Sequence, residues 1–166
     1  MGSLLFDNRY REVVYANKGK YGRPFGGLEL YAAKHLAPQT VSKTNSHIAI
    51  RFGKYVVIGV YYQGTMALDD ITIDLMSVIN KQPNTTEYII GGDFNIKPES
   101  HNFDELNELL SQNGISLMSD QSKVTYFGTN GVSCVDHIYG SHSIETENTK
   151  VLVSGISDHE PISATV

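Results

Sequence analysis

The sequence has one cysteine, no tryptophan, five prolines and no long apolar run. A single Cys134 excludes an internal disulfide, and the lack of any CxxC pair excludes a thiolate zinc site as the device that holds the fold. A lone thiol is expected of a reducing, intracellular compartment, nuclear or cytoplasmic. The longest nearly apolar stretch, Tyr55 to Tyr62, is far short of the roughly 20 residues that cross a bilayer. No charged-then-apolar leader opens the sequence, so no membrane role is expected. There is no low-complexity tract and no internal repeat, which excludes solenoids, rods and disordered tails. Asn84-Thr85-Thr86 fits a glycosylation acceptor pattern, but nothing else points to secretion.

What remains is an ordinary globular composition, 40% hydrophobic and 19% charged over 166 residues. A chain of that length forms one domain, 1–166, that removes roughly 70% of its unfolded surface from water; residues 1–21 have no clear element. The net charge of −5 hides an asymmetry. Residues 1–54 carry nine of the thirteen Lys and Arg against three acids, a charge of +6, and the remaining 112 residues carry −11. A basic segment joined to an acidic one suits a protein that holds phosphates with one part and cations with the other, although two solvated surfaces would give the same arithmetic.

Hydrophobic spacing gives the elements. A polar stretch runs to about Pro24, and Phe25-Gly26-Gly27 is expected to turn into a strand over Leu28 to Ala33. His47 to Arg51 alternates weakly. Tyr55 to Tyr62 is so rich in β-branched and aromatic residues that it reads as a strand buried on both faces. Leu68, Ile71, Leu75, Val78 and Ile79 recur at helical intervals, and Asp69 and Asp70 suit the positive end of a helix dipole. Tyr88-Ile89-Ile90 reads as a short strand ending in Gly91-Gly92-Asp93. A second helix is expected to start at Asn102 as N-cap, with Glu105 three residues on, and to stop at Asn113-Gly114. Ser116 to Met118, Val132 to Tyr139, Thr149 to Val153 and Pro161 to Val166 read as further strands. Strands outnumber helices and the two are interleaved, so the expected class is a layered α/β sandwich of mixed β-sheets flanked by helices.

Three segments place polar chemistry where strands end. In Gly91-Gly92-Asp93-Phe94-Asn95 a carboxylate and a carboxamide stand two residues apart, a pair able to bind a cation, hold a phosphate oxygen and orient a water. The bland alternative is an Asx turn. In Ser157-Asp158-His159-Glu160-Pro161 a hard carboxylate ligand adjoins an imidazole that moves protons. In Val135-Asp136-His137-Ile138 a carboxylate sits in an otherwise apolar strand, which costs free energy unless it is paired, and a histidine is the expected partner. His35, His47, His101, His137 and His142 share no metal spacing and read as surface or packing residues.

Taken in order, Ile89 to Asn95, Ser133 to Tyr139 and Ser157 to Ile162 resemble three motifs of the endonuclease/exonuclease/phosphatase superfamily. Gly22 to Tyr31 is similar to a segment of the endonuclease domains of non-LTR retrotransposons. The resemblance covers Gly22 to the last residue and implies a DNase I-like fold and Mg²⁺- or Mn²⁺-dependent hydrolysis of phosphodiesters in DNA or RNA, leaving a 3′-hydroxyl. It implies that Asp93 positions or deprotonates water, that Asn95 holds it and a phosphate oxygen, and that Asp158, with Asp93 and Asn95, reaches the metal. His159 contacts the phosphate or acts as base, with Asp136 orienting it. Tyr61 hydrogen-bonds the phosphate, with Tyr62 as the alternative because Gln63 departs from the family pattern. Lys97-Pro98 is closer to nucleases than to inositol phosphatases. Nucleic acid is expected on Arg9, Arg11, Lys18, Lys20 and Arg23. Family members also carry a strand with an Asn and a strand ending in a metal-binding Glu ahead of Gly26-Gly27. Only 21 residues precede Gly22 here, and Glu12 lacks the expected surroundings. The expectation is therefore a fold lacking the family's first strands, with exposed edges covered by a second copy or a partner chain. A silent remnant serving as a binding module, and a phosphatase for lipid or inositol phosphates, stay open as alternatives.

Overall fold

The computed structural model describes residues 9–18, 24–129 and 131–166. In chain order the strands are β1 (Arg9–Val14), β2 (Asn17–Lys18), β3 (Pro24–Phe25), β4 (Leu28–Ala33), β5 (Gln39–Lys43), β6 (His47–Phe52) and β7 (Tyr55–Tyr61). Helix α1 (Leu68–Ile79), β8 (Glu87–Asp93) and α2 (His101–Gln112) follow. The chain closes with β9 (Ile115–Leu117), β10 (Tyr126–Gly128), β11 (Gly131–Ser133), β12 (Asp136–Ser141), β13 (Asn148–Val151) and β14 (Ile162–Thr165).

Six of the strands form one sheet in the order β5-β6-β7-β8-β12-β9. Only β7 and β8 run parallel within it, because α1 supplies the crossover that parallel neighbours need. Both helices bury their apolar stripes against one face of this sheet. Ile71, Leu75, Val78 and Ile79 of α1, with Phe103, Leu106 and Leu110 of α2, meet Val56, Ile58, Val60, Tyr62, Ile90 and Tyr139 in the core. The sheet's other face is approached by two ribbons: β1–β4 lies over β6 and β7, and β14 of the β13–β14 ribbon meets β12. The layered, mixed α/β architecture is the one the sequence pattern implies.

Several local expectations change. β7 is not buried on both faces: Val56, Ile58, Val60 and Tyr62 are buried, while Tyr55, Val57, Gly59 and Tyr61 are half-buried beneath the ribbons. The polar stretch before Pro24 contains β1, which pairs in register with β4 and so gains its order from a partner rather than from hydrophobicity. The N-cap of α2 is Ser100, not Asn102; its hydroxyl accepts from Phe103 N at 3.3 Å, and Asn102 lies inside the first turn. Val132 to Tyr139 is not one strand. β11 pairs with β10 as a hairpin, Cys134 and Val135 break the run, and β12 starts afresh at Asp136.

A buried polar network stands behind the sheet. His47, fully buried, shares a hydrogen bond with Ser42 Oγ at 2.7 Å through Nε2 and meets Asp74 Oδ2 at 2.7 Å through Nδ1. Tyr62 donates to the same Asp74 oxygen at 3.0 Å. His137 is equally buried, packed between Phe94 and Phe103, and its Nε2 donates to the Ile96 carbonyl at 2.8 Å. Burial pushes its pKa down, which keeps the ring neutral. These two histidines are packing residues, and His35, His101 and His142 are exposed.

Candidate active site

Three adjacent strands bring the polar residues to one level. In the parallel pair β7–β8, Tyr61 stands beside Asp93, and in the antiparallel pair β8–β12, Asp93 stands beside Asp136. Tyr62 N donates to Asp93 O at 2.9 Å and Phe94 N to Val135 O at 3.0 Å, which extends the ladders past the strand ends. Gly92 allows this convergence. Its φ is 142°, and a Cβ there would lie 2.0 Å from the Val60 carbonyl oxygen, so only glycine lets β8 approach β7 so closely. Asn95 then adopts a left-handed conformation, φ 53°, which asparagine tolerates better than most residues.

Asn95 folds back onto Asp93. Its backbone N–H donates to Asp93 Oδ1 at 3.0 Å, and its side-chain amide donates to Asp93 Oδ2 at 3.0 Å and to the Tyr62 carbonyl at 2.8 Å. This is an Asx turn in which the side-chain amide also holds the carboxylate. Two carboxylates directly opposite one another across a ladder repel, and the third residue resolves the conflict: His159 Nδ1 donates to Asp136 Oδ2 at 2.9 Å, while its Nε2 lies 3.9 Å from Asp93 Oδ2. Asp93 and Asp136 are each 13% exposed and His159 is 32% exposed. Burial, reinforced by the Asp136 charge, pushes Asp93 up to about 6, despite the hydrogen bonds from Asn95 and the nearness of His159. Burial alone would lower His159, but its bond to Asp136 and the charges of Asp136, Asp93 and Asp158 outweigh it and raise the imidazole above its ordinary value. Burial and the Asp93 charge raise Tyr61, which stays a protonated donor.

The end of the chain is pinned to this level through Thr125 and the β10–β11 hairpin. Thr125, almost wholly buried, accepts from both Val135 N and Asp136 N at 3.1 Å, and its carbonyl accepts from Glu160 N at 2.7 Å. Phe127 N donates to the Asp158 carbonyl at 2.7 Å, and the Tyr126 ring lies 4.8 Å from the His159 ring. Tyr61, Asp93, Asn95, Lys97, Tyr126, Ser133, Asp158 and His159 thereby line one open cavity of 410 Å³. Tyr61 lines the cavity, while Tyr62 lies in the core on the opposite face. Sequence reasoning misses Tyr126 and its hairpin, because three-residue strands leave too short a pattern to detect.

Arg9 and Arg11 stand elsewhere. Arg11 is ion-paired with Glu29 across the β1–β4 ribbon and lies over the Tyr31 ring. Arg9 is an exposed residue of the same strand. Neither lines the cavity, whereas Lys97 does. Lys18 closes β2, and Lys20 and Arg23 lie outside the described residues. Glu12 is also remote. It accepts from Thr40 at 2.8 Å, Lys43 at 3.0 Å and Tyr10 at 3.0 Å, which hold its carboxyl below the usual range.

The donors suit a hard divalent ion in kind. Asp93, Asn95 and the exposed Asp158 put oxygen ligands around one cavity, and Asp136 adds negative charge behind them. Among the described residues no three His, Cys, Asp or Glu side chains close on a point by themselves. That is compatible with Mg²⁺, which takes one or two carboxylates and fills its remaining positions with waters and substrate phosphate oxygens.

The family model described as Endonuclease-reverse transcriptase (Exo_endo_phos_2) matches residues 55–163, well over half of the chain. The chain belongs to this family. It is thereby a member of the endonuclease/exonuclease/phosphatase superfamily, a group of hydrolases. Solved structures agree on the fold. The endonuclease domain of TRAS1, a telomere-specific non-LTR retrotransposon, is 17% identical with a TM-score of 0.68, over 92% of this chain and 78% of that one. A variant of the 3′ phosphatase NExo from Neisseria, bound to a product DNA hairpin, is 16% identical with a TM-score of 0.68, over 95% and 79%. An AP endonuclease from Archaeoglobus fulgidus is 14% identical with a TM-score of 0.65, over 93% and 79%. A comparison with curated proteins finds no match. No helix among the described residues is long and apolar enough to cross a membrane.

Proposed function

We propose that this family member is a divalent-metal-dependent endonuclease that hydrolyses phosphodiester bonds in DNA. The observation that carries the reading is the coupled set Asp93, Asp136 and His159 at the edge of an open cavity, with the carboxylate raised toward neutrality and the imidazole raised above its ordinary value. Such values suit one group to accept a proton and the other to carry one near neutral pH.

Asp93, fixed by two hydrogen bonds from Asn95, accepts the proton of the attacking water. Water oxygen bonds to phosphorus as the bond to the 3′ oxygen breaks, and that oxygen takes up a proton from solvent in the open cavity to leave a 3′-hydroxyl. His159, held by Asp136 and protonated, donates from Nε2 to a non-bridging phosphate oxygen, and the Tyr61 hydroxyl donates to another. Asp158, Asp93 and Asn95 would hold Mg²⁺ or Mn²⁺, which would supply charge neutralisation of the phosphate when bound. Lys97 beside the cavity holds a backbone phosphate, and the basic segment containing Arg9, Arg11, Lys18, Lys20 and Arg23 adds attraction for the DNA backbone that does not depend on base sequence.

Purified protein is expected to nick supercoiled plasmid with Mg²⁺, to leave it intact with EDTA, and to lose nicking in Asp158→Ala. A folded protein that leaves the plasmid intact overturns the reading, and release of inorganic phosphate from inositol phosphates without nicking replaces it with a phosphatase. The pH profile tests the coupling. Activity needs Asp93 ionised and His159 protonated, so it rises as Asp93 ionises and falls again above the raised His159 value. Asp136→Asn removes a charge that raises both groups, so both limbs of the pH–rate profile move to lower pH. Limbs that stay in place, or move apart, contradict the coupling.

A further inference from the structure

On the other side of Tyr61 a second cavity, of 240 Å³, opens between Tyr15, Gly26-Gly27, Asn45-Ser46 and the loop carrying Gln63, Thr65 and Met66. Tyr61 lines both cavities and separates them. The elements that line the two cavities touch on each flank of that ring. A Cβ at Gly26 would lie 3.4 Å from Tyr61 Cε1, so the glycine turn rests against the ring, and a Cβ at Gly64 would lie 3.5 Å from Asn95 Oδ1, so the Gln63–Thr65 loop touches the residue that holds Asp93.

The chemistry of the second cavity differs from that of the first. Among the described residues its lining includes no charged side chain. It offers instead two carboxamides, Asn45 and Gln63, hydroxyls from Ser46 and Thr65, and an aromatic ring. No side-chain hydrogen bond among the described residues occupies either carboxamide. Tyr15 is 82% exposed, so its ring face is open to a stacking partner. Its placement is constrained: Gly27 has φ 101°, and a Cβ there would lie 3.1 Å from Ala16 N, so the glycine turn fits closely against the residue after Tyr15. A flat, neutral ligand edged with donors and acceptors matches this lining, and it would sit one step along a strand whose phosphate lies at Tyr61.

We propose that this cavity is a base-recognition subsite, in which a nucleobase adjoining the scissile phosphate stacks on Tyr15 and is read by Asn45 and Gln63. Carboxamides pair in two-point fashion with adenine through its N6 and N7, so adenine is the favoured base. This inference rests on the nuclease reading of the neighbouring cavity.

The test is to sequence the ends at nicks made in a plasmid pool by the wild-type protein, Gln63→Ala, Asn45→Ala, Tyr15→Ala and Tyr15→Phe. The wild type is expected to show adenine enriched at one fixed position beside the cut. Gln63→Ala and Asn45→Ala reduce that enrichment about tenfold. Tyr15→Ala raises the DNA concentration needed for half-maximal nicking about tenfold, and Tyr15→Phe restores it, because stacking does not need the hydroxyl. Nicking by the wild type without base preference, or an unchanged preference in both carboxamide variants, overturns the subsite and leaves the nuclease reading standing. Absence of wild-type nicking overturns both.

Discussion

His159→Ala is expected to lower the nicking rate by about 10²–10⁴-fold while far-UV circular dichroism and the unfolding transition still report a folded protein. The size of the effect comes from two losses. The imidazole is the group whose Nε2 lies on the Asp93 side while Nδ1 is committed to Asp136, so no other side chain of the cavity substitutes for it. Its removal also leaves Asp136 and Asp93 facing each other across the β8–β12 ladder with no cation between them. The second loss costs stability as well as rate, about 1–3 kcal/mol for a mostly buried carboxylate deprived of its partner. The double variant Asp136→Asn/His159→Ala relieves that repulsion, and its stability should recover although its activity does not. A His159→Ala protein as active as the wild type would remove His159 from the chemistry.

Gly92→Ala is expected to be the most destabilising conservative change in the sheet. The added methyl meets the Val60 carbonyl at 2.0 Å, a contact with backbone that no rotamer relieves, and φ 142° is strained for any residue with a Cβ. The cost is about 3 kcal/mol or more, a fall of roughly 6–12 °C in Tm. The adjoining glycine is the control. A Cβ at Gly91 meets Ile138 Cγ1 at an ordinary 3.6 Å, so Gly91→Ala should stay within about 1 kcal/mol of the wild type. Thermal melts of the two proteins side by side decide it. Equal Tm values would mean that β7 and β8 do not lie as close as the register of Val60 and Gly92 requires.

The two alanine variants also bear on what is legible in the sequence. Ile89 to Asn95 announces a strand followed by a polar turn because hydrophobic residues end abruptly at two glycines and a carboxylate. The pairing of Asp136 with a histidine follows from the cost of burying an unpaired charge, and the structure places His159 there at 2.9 Å. The helices follow from spacing, α1 over Leu68–Ile79 as the stripe of Ile71, Leu75 and Val78 requires.

The features that do not follow share a cause. β1 and β5 are polar strands whose order comes from neighbours many residues away, and no local periodicity marks them. Tyr61 and Tyr62 cannot be told apart by pattern because every residue of β7 is apolar, glycine or tyrosine, so the alternation has no polar member to set its phase; the pairing with Asp93 sets it. The start of α2 is displaced in the sequence reading because Asn102 and Glu105 imitate a capping box inside the first turn, while Ser100 takes the cap through its bond from Phe103 N. Glu12, by contrast, lacks family context in the sequence, and its bonds to Tyr10, Thr40 and Lys43 place it in the β1–β4 ribbon away from the cavity.

The most direct measurement of the central claim is the chemistry of the cut itself. Plasmid nicked by the protein in Mg²⁺ is incubated with a DNA polymerase and labelled nucleotides, without prior phosphatase treatment, beside the same incubation with Asp93→Ala. Attack by water with release of the 3′ oxygen predicts nicks that the polymerase extends at once and no incorporation with Asp93→Ala. Nicks that need phosphatase before they can be extended, or equal incorporation with both proteins, would contradict the account.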